Sequence, residues 1–117
     1  MLSVADFVQY GVVGLVAGFV LKRVISMVHA RRMVPGLIQQ GAVVIDVRAP
    51  AEFSSGHAAG SRNIPLADLE HTSKELDPNR WIIVCCASGT RSGMARRWLL
   101  RHGFQRVLNA GSWRNLP

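Results

Sequence analysis

The stretch Trp81-Ile82-Ile83-Val84-Cys85-Cys86-Ala87-Ser88-Gly89-Thr90-Arg91-Ser92 decides how this chain folds. Its first five residues are apolar and rich in β-branching, too few for a helix and without polar alternation. They read as a strand, Trp81 to Cys85, buried on both faces. Cys86 to Arg91 is small, polar and broken by Gly89, which marks a loop. Ser92 to His102 then reads as a helix, with Met94, Ala95, Trp98 and Leu99 at core spacing and Gly103 as its stop. Buried strand, glycine loop and helix form the repeating unit of parallel α/β sheets, which place ligands at the carboxyl edge of their strands.

Working outward, the same grammar recurs. Ala42 to Val47 is a second short apolar run and reads as a buried strand. Ala49 to Ser55 makes a helical turn with Pro50 at a tolerated early position. Arg62 to Ile64 and Arg106 to Leu108 read as shorter strands, and Leu66, Leu69 and Leu76 mark short helical segments before Pro78. His29 to Gln40 reads as a helix that Pro35 interrupts or restarts and Gly41 ends. Strands alternate with helices and are apolar on both faces, so the expected fold is α/β, a mostly parallel sheet flanked by helices. At 117 residues the chain suits one such domain, 31–117, preceded by an appendage, 1–30.

That appendage differs in character. Phe7 to Leu21 carries no charge and one amide, Gln9. A membrane span needs about 20 apolar residues. Val4 to Leu21 approaches this length with Asp6 near one end, while Lys22 and Arg23 can snorkel at the other. The segment reads as a single-pass anchor. A secretory leader would want positive charge before the apolar run, where only Asp6 stands. A helix lying on the bilayer or packed on the domain is the third reading. Lys22, Arg23, Arg31 and Arg32 follow the apolar run, which places the domain on the cytoplasmic side. Gly14 and Gly18, with Gly11 a turn earlier, form a GxxxG step through which two copies of the helix would pair.

The formal net charge is +7, spread over helices and loops without a dense basic run or interleaved aromatics. Nucleic-acid binding is therefore not expected, and a small anionic substrate suits the positive field better. The two cysteines, Cys85 and Cys86, are adjacent. A bridge between neighbours would be strained, and the spacing of zinc or dithiol sites is absent. No metal or organic cofactor is implied, and free thiols fit a reducing compartment.

Cys86 is the candidate nucleophile. A loop between a buried strand and a helix start can curl its N–H groups inward, and the helix adds partial positive charge. A cysteine in such a nest is expected as thiolate. Gly89 permits the turn, Ser92 is placed to cap the helix, and Arg91 is expected to help stabilise the anion, so Ala87, Ser88, Gly89, Thr90, Arg91 and Ser92 form the candidate substrate- and anion-binding loop. No histidine is coupled to Cys86 in the pattern, unlike a papain-type site. Electrostatic activation without a base suits sulfur as both nucleophile and cargo: Cys86 takes up a sulfane sulfur as a persulfide and passes it on.

These residues resemble the rhodanese homology domain. Cys86-Ala87-Ser88-Gly89-Thr90-Arg91-Ser92 is similar to its CxxGxRS loop. Asp46-Val47-Arg48, Glu52-Phe53, Gly56-His57, Gly60 and Asn63-Ile64-Pro65 resemble a second characteristic run, and Gly103-Phe104, Val107, Gly111 and Trp113 its closing segment. Ala110-Gly111 stands where the family often has two glycines. The resemblance implies a rhodanese fold and transfer of sulfane sulfur from an anionic donor such as thiosulfate to a thiol or cyanide acceptor.

Cys85 opens a competing register. Counted from Cys85, the loop is C-x5-R and resembles that of cysteine-dependent phosphatases and arsenate reductases. Counted from Cys86, it is the shorter C-x4-R loop, and Cys85 completes the apolar strand. A persulfide carrier or sensor without rapid turnover is a further reading. Asp46, Arg48 and Glu52 are read as structural support, with an Arg48–Glu52 ion pair pinning the corner. His57 is read as a hydrogen-bonded loop residue, Arg62 and Arg114 as solvent-exposed, and Trp113 as a lid on the core.

Overall fold

The computed structural model describes residues 1–117. Helix α1 runs unbroken from Val4 to Gln39. Its start is a reciprocal cap: Asp6 N–H donates to Ser3 Oγ at 3.2 Å and Ser3 N–H donates to the Asp6 carboxylate at 2.8 Å. Pro35 lies inside the helix and does not interrupt it, against the sequence expectation. The proline forgoes one helical hydrogen bond at a cost of about 3 kcal/mol. Val34 and Leu37 on either side are buried against the sheet, and two such side chains contribute about 3–6 kcal/mol. Docking of the last turn therefore outweighs the break.

The sheet has four parallel strands in the order β2-β1-β3-β4: β1 Val43–Asp46, β2 Arg62–Asn63, β3 Ile82–Cys86 and β4 Val107–Ser112. The chain leaves β1 for β2 on one side and returns past β1 to β3 on the other. This reversal puts the carboxyl ends of β1 and β3 side by side at the place where α/β sheets open a crevice. Helix α2, Pro50–Ser54, follows β1; α3, Leu69–Thr72, lies among short turns after β2; and α4, Thr90–Arg101, follows β3.

Strand alternation divides the core. Ile82, Val84 and Cys86 face one side with Ile45, Val47, Leu69, Ala95 and Leu99, under α4. Ile83, Cys85 and Ala110 face the other with Val34 and Leu37 of α1. The sheet is thus covered on both faces, as its apolar strands require. Strand β4 runs to Ser112, beyond the expected end at Leu108. Its pairing with β3 shifts between Val84 and Cys85, which pair with Asn109 and Gly111 respectively. The extra residue, Ala110, is a bulge that lets the strand continue to the site.

The apolar part of α1 projects from the domain and gives the molecule its 62 Å long axis. An 18-residue window of this helix has mean hydropathy 1.9 and none of it is buried. The helix is long and apolar enough to cross a membrane, and only its last turns pack on the domain.

Candidate active site around Cys86

Cys86 is the last residue of β3, one residue beyond the expected strand end at Cys85, so the loop begins at Ala87. Beyond it Ala87 and Ser88 are exposed, and Gly89 turns the chain into α4 with φ +100°. A side chain at Gly89 would be strained by that angle, and its Cβ would lie 3.2 Å from Gly111 Cα. Gly111, at φ +77°, is itself the closest approach of β4 to the loop. These two glycines let the backbones of loop and strand touch.

The resulting curl aims donors at sulfur. Gly89 N–H donates to Cys86 Sγ at 3.0 Å, and Ser92 Oγ lies 3.3 Å from the same sulfur. Burial pushes the Cys86 thiol up, but the Ser92 hydroxyl and the N–H groups of Ser92, Gly89 and Ser88 outweigh it. The net direction is down, toward thiolate, as hydrogen bonds to a charged form produce.

Ser92 does not cap α4. The helix begins at Thr90, so Gly89 takes the cap position and Ser92 falls in the first turn, fully buried against the sheet. Its hydroxyl lies 2.7 Å from Asn109 Oδ1. Asn109 is held in turn by a bond from Gly111 N–H to Oδ1 at 2.9 Å and by its own Nδ2 donating to the Gly89 carbonyl at 3.1 Å. Asn109 is a site residue that sequence reasoning missed. The only signal was a polar residue between apolar neighbours, and it lay past the expected end of the strand.

The upstream residues pair differently from expectation. Arg48 does not bridge to the Glu52 carboxylate. Its Nε and Nη2 fork onto Asp46, the closest contact being 2.7 Å, with both side chains almost wholly buried. The Arg48 guanidinium also donates to the carbonyls of Gly56 at 2.7 Å and Glu52 at 3.3 Å. Asn63 Nδ2 donates to the carbonyls of Asp46 at 3.0 Å and Arg48 at 2.9 Å, joining β2 to this corner. The Glu52 carboxylate instead receives Arg91 Nη1 at 2.6 Å and Nη2 at 3.0 Å. Asp46 lies two residues from Arg48 at the buried strand end, whereas α2 presents Glu52 toward the start of α4. The Arg91 guanidinium beside Glu52 holds its carboxyl down at about 2. Arg91 therefore tethers α4 to α2, and the direct hydrogen bonds to sulfur come from Gly89 and Ser92.

Cys85 points to the other face of the sheet, among Val34, Leu37 and Ala110, and is fully buried. Burial, and then the Asp46 charge, push its thiol up to about 12. It stays protonated and lies across the sheet from the loop, so the C-x5-R ring is not formed around it. His57 donates from Nδ1 to the Phe53 carbonyl at 2.7 Å and stacks on the Phe53 ring. Arg62 pairs with Glu75 in solvent at 3.1 Å. Trp113 is half-buried, packed against Gly56 and under the guanidinium of Arg48 at 4.8 Å from its ring centre, with exposed Arg114 on the same ring. No three His, Cys, Asp or Glu side chains gather closely enough to hold a metal ion.

A parallel α/β sheet that carries a thiolate-favouring cysteine in a backbone nest at its carboxyl edge defines a class of small cysteine-loop domains. Within that class the chain belongs to the rhodanese-like domain family, whose model matches residues 32–115. An uncharacterized protein of Bacillus subtilis is 32% identical over 100 residues, 80% of this chain and 79% of its own length. A thiosulfate sulfurtransferase of Stutzerimonas stutzeri is 36% identical over 67 residues, 57% of this chain and 62% of the relative. Among solved structures, a rhodanese with anions from Escherichia coli matches with TM-score 0.59 and 32% identity, covering 65% of this chain and 94% of that one. Other relatives are called sulfurtransferase and putative sulfur carrier protein, and this chain spans 65% and 36% of their respective lengths. The family is of sulfurtransferase type.

Proposed function

We propose that the chain is a sulfurtransferase acting through a persulfide on Cys86. The observation that carries this reading is the placement of Gly89 N–H and Ser92 Oγ at 3.0 Å and 3.3 Å from the Cys86 sulfur. The thiolate attacks the sulfane sulfur of an anionic donor such as thiosulfate. The new S–S bond forms as the donor's S–S bond breaks, and sulfite leaves with that electron pair. A thiol acceptor, as thiolate, then attacks the outer sulfur. The acceptor leaves as a persulfide and Cys86 returns as thiolate, so no external oxidant or reductant is consumed. The negative charge moves from one sulfur to the next, and the Gly89 N–H dipole already points toward it.

The test is intact mass after incubation with thiosulfate. One added sulfur that Cys86→Ser abolishes supports the reading. Loading that survives Cys86→Ser, or turnover of an aryl phosphate without loading, sinks it. Loading without onward transfer to a thiol would identify a carrier.

We further propose that α1 spans a membrane once and holds the domain on the cytoplasmic side. The exposed apolar window and the cluster Lys22, Arg23, Arg31 and Arg32 after it support this reading. C-terminal reporter fusions test it: activity only from a periplasmic reporter would reverse the orientation.

A further inference from the structure

Where α1 leaves the domain it does not lie flat on it. A cleft of about 620 Å³ opens between the helix and the outer side of the active loop. One wall is a single face of α1: Arg23, Ser26, Met27 and Ala30. This is the same stripe that is buried further along at Val34 and Leu37. The other wall is α4 and β4, with Arg96 and Arg97 projecting from α4, and the backbone of Ser88 to Thr90 closes the end. Cys86 does not line this cleft.

Its electrostatics are one-sided. Three arginines line it and no acidic side chain does. The ion pairs of the molecule are Arg48–Asp46, Arg62–Glu75 and Arg91–Glu52, so none of the three cleft arginines is neutralised. Arg96 is steered by its Nε, which donates to the Val107 carbonyl at 3.0 Å and leaves the guanidinium ends free. Arg23 lies over the Phe19 ring, 5.7 Å from its centre. Three unpaired guanidinium groups around one cavity repel one another unless an anion joins them. Guanidinium groups match phosphate oxygens in geometry as well as charge.

We propose that this cleft binds an anionic phosphate group through Arg23, Arg96 and Arg97. Its position favours the headgroup of an anionic phospholipid. Arg23 follows directly on the apolar segment that ends at Leu21. From Arg23 to Ala30 the helix rises about 10 Å, enough to cross the polar layer of about 5–8 Å on one side of a bilayer. A phosphate at that depth reaches the wedge from its open end. The occupant would fix the angle between anchor and domain, because it bridges the two walls. The lipid source rests on the reading of α1 as a span; the phosphate chemistry of the cleft does not.

The test uses the full chain in nanodiscs of mixed phosphatidylglycerol and phosphatidylcholine, with retained lipid counted by native mass spectrometry after release. Phosphatidylglycerol should be enriched. Arg23→Gln and Arg97→Gln should each reduce its retention about threefold to fivefold, as for a partly exposed ion pair. Arg101→Gln, at the end of α4 outside the cleft, should not. In a parallel arm, inorganic phosphate is titrated into the chain in nonionic detergent while the arginine side-chain signals are followed by NMR. Saturable shifts that Arg97→Gln weakens would assign the cleft to a free phosphate even if the chain fails to enter nanodiscs, a failure that would remove the span alone. Equal retention of both lipids with no phosphate response, or equal loss in Arg101→Gln, overturns the proposal.

Discussion

Removing the Ser92 hydroxyl should raise the pKa of Cys86, and the size of the effect follows from a competition for one proton. A serine hydroxyl donates once. Here two acceptors stand in reach, Asn109 Oδ1 at 2.7 Å and Cys86 Sγ at 3.3 Å. When Cys86 is a thiol, the shorter bond to Asn109 holds the proton, and the S–H can point at the serine oxygen. When Cys86 ionises, the hydroxyl turns to the sulfur, and Asn109 keeps its bond from Gly111 N–H. The hydrogen bond to the charged form is thus gained at the expense of a neutral one. A bond to a charged group is worth about 1.5–3 kcal/mol and a neutral one about 1, leaving a difference of about 0.5–2 kcal/mol, or about one pH unit. In Ser92→Ala no orphan remains, since Asn109 Oδ1 still has Gly111. The expected result is a rise of about one pH unit in the midpoint of iodoacetamide alkylation against pH. Measured in a Cys85→Ala background, this means about threefold to fourfold slower alkylation below both midpoints, because the tenfold smaller thiolate fraction is partly offset by the greater nucleophilicity of the more basic thiolate. Asn109→Asp should shift the midpoint the same way, because a carboxylate holds the serine proton more strongly. A midpoint that is unchanged or lower in Ser92→Ala refutes the competition.

Three other outcomes follow from the pairings. Asp46→Ala should destabilise the fold by about 3–5 kcal/mol, read as a lower midpoint in urea, because it strands the buried Arg48 guanidinium; a loss below 1 kcal/mol would place the pair in solvent. Cys85, raised from 9.0 to about 12 in the folded state, contributes stability that is full below pH 9 and lost as pH rises toward 12. Cys85→Ala should flatten that alkaline fall in melting temperature, and an identical fall in both proteins counts against the burial. Glu52, lowered from 4.5 to about 2, contributes stability present above pH 4.5 and lost as pH drops through about 2. Melting curves across that window should be flatter in Glu52→Gln than in the parent, and equal slopes would deny the Arg91 tether.

The fold was legible in the sequence wherever one segment carried its own signal. The apolar runs at Val43–Asp46 and Ile82–Cys86 and Gly89 beyond Cys86 announced strands and loop without any knowledge of neighbours. Pairings between segments were not legible. Arg48 and Glu52 stand four apart, which suggests a local bond, yet Asp46 is nearer in the buried corner and Arg91 comes from 39 residues away. Choosing between such partners needs the strand order, which sets α2 beside the start of α4. Asn109 escaped for the same reason. Its role exists only because a bulge at Ala110 extends β4 alongside the loop. Pro35 misled in the other direction: its local penalty was real, but tertiary docking of Val34 and Leu37 overrode it.

The adjacent cysteines show how far alternation along a strand carries chemistry. Successive side chains point to opposite faces, so Cys85 enters the sealed core under α1 while Cys86 turns toward the loop. Burial alone would raise both thiols, and it does act on both. Only Cys86 also meets inward-pointing donors, and there they prevail. Two identical residues one peptide apart are therefore driven in opposite directions, one to inert thiol and one toward thiolate. With Arg91 engaged by Glu52, a negative charge on Cys86 rests on the N–H groups of Ser88, Gly89 and Ser92 and on the Ser92 hydroxyl, which turns to it from Asn109. Those supports are dipoles, most of them held by the main chain. They need no proton transfer to stabilise charge on sulfur, which is the electrostatic requirement of the sulfur transfer proposed for Cys86.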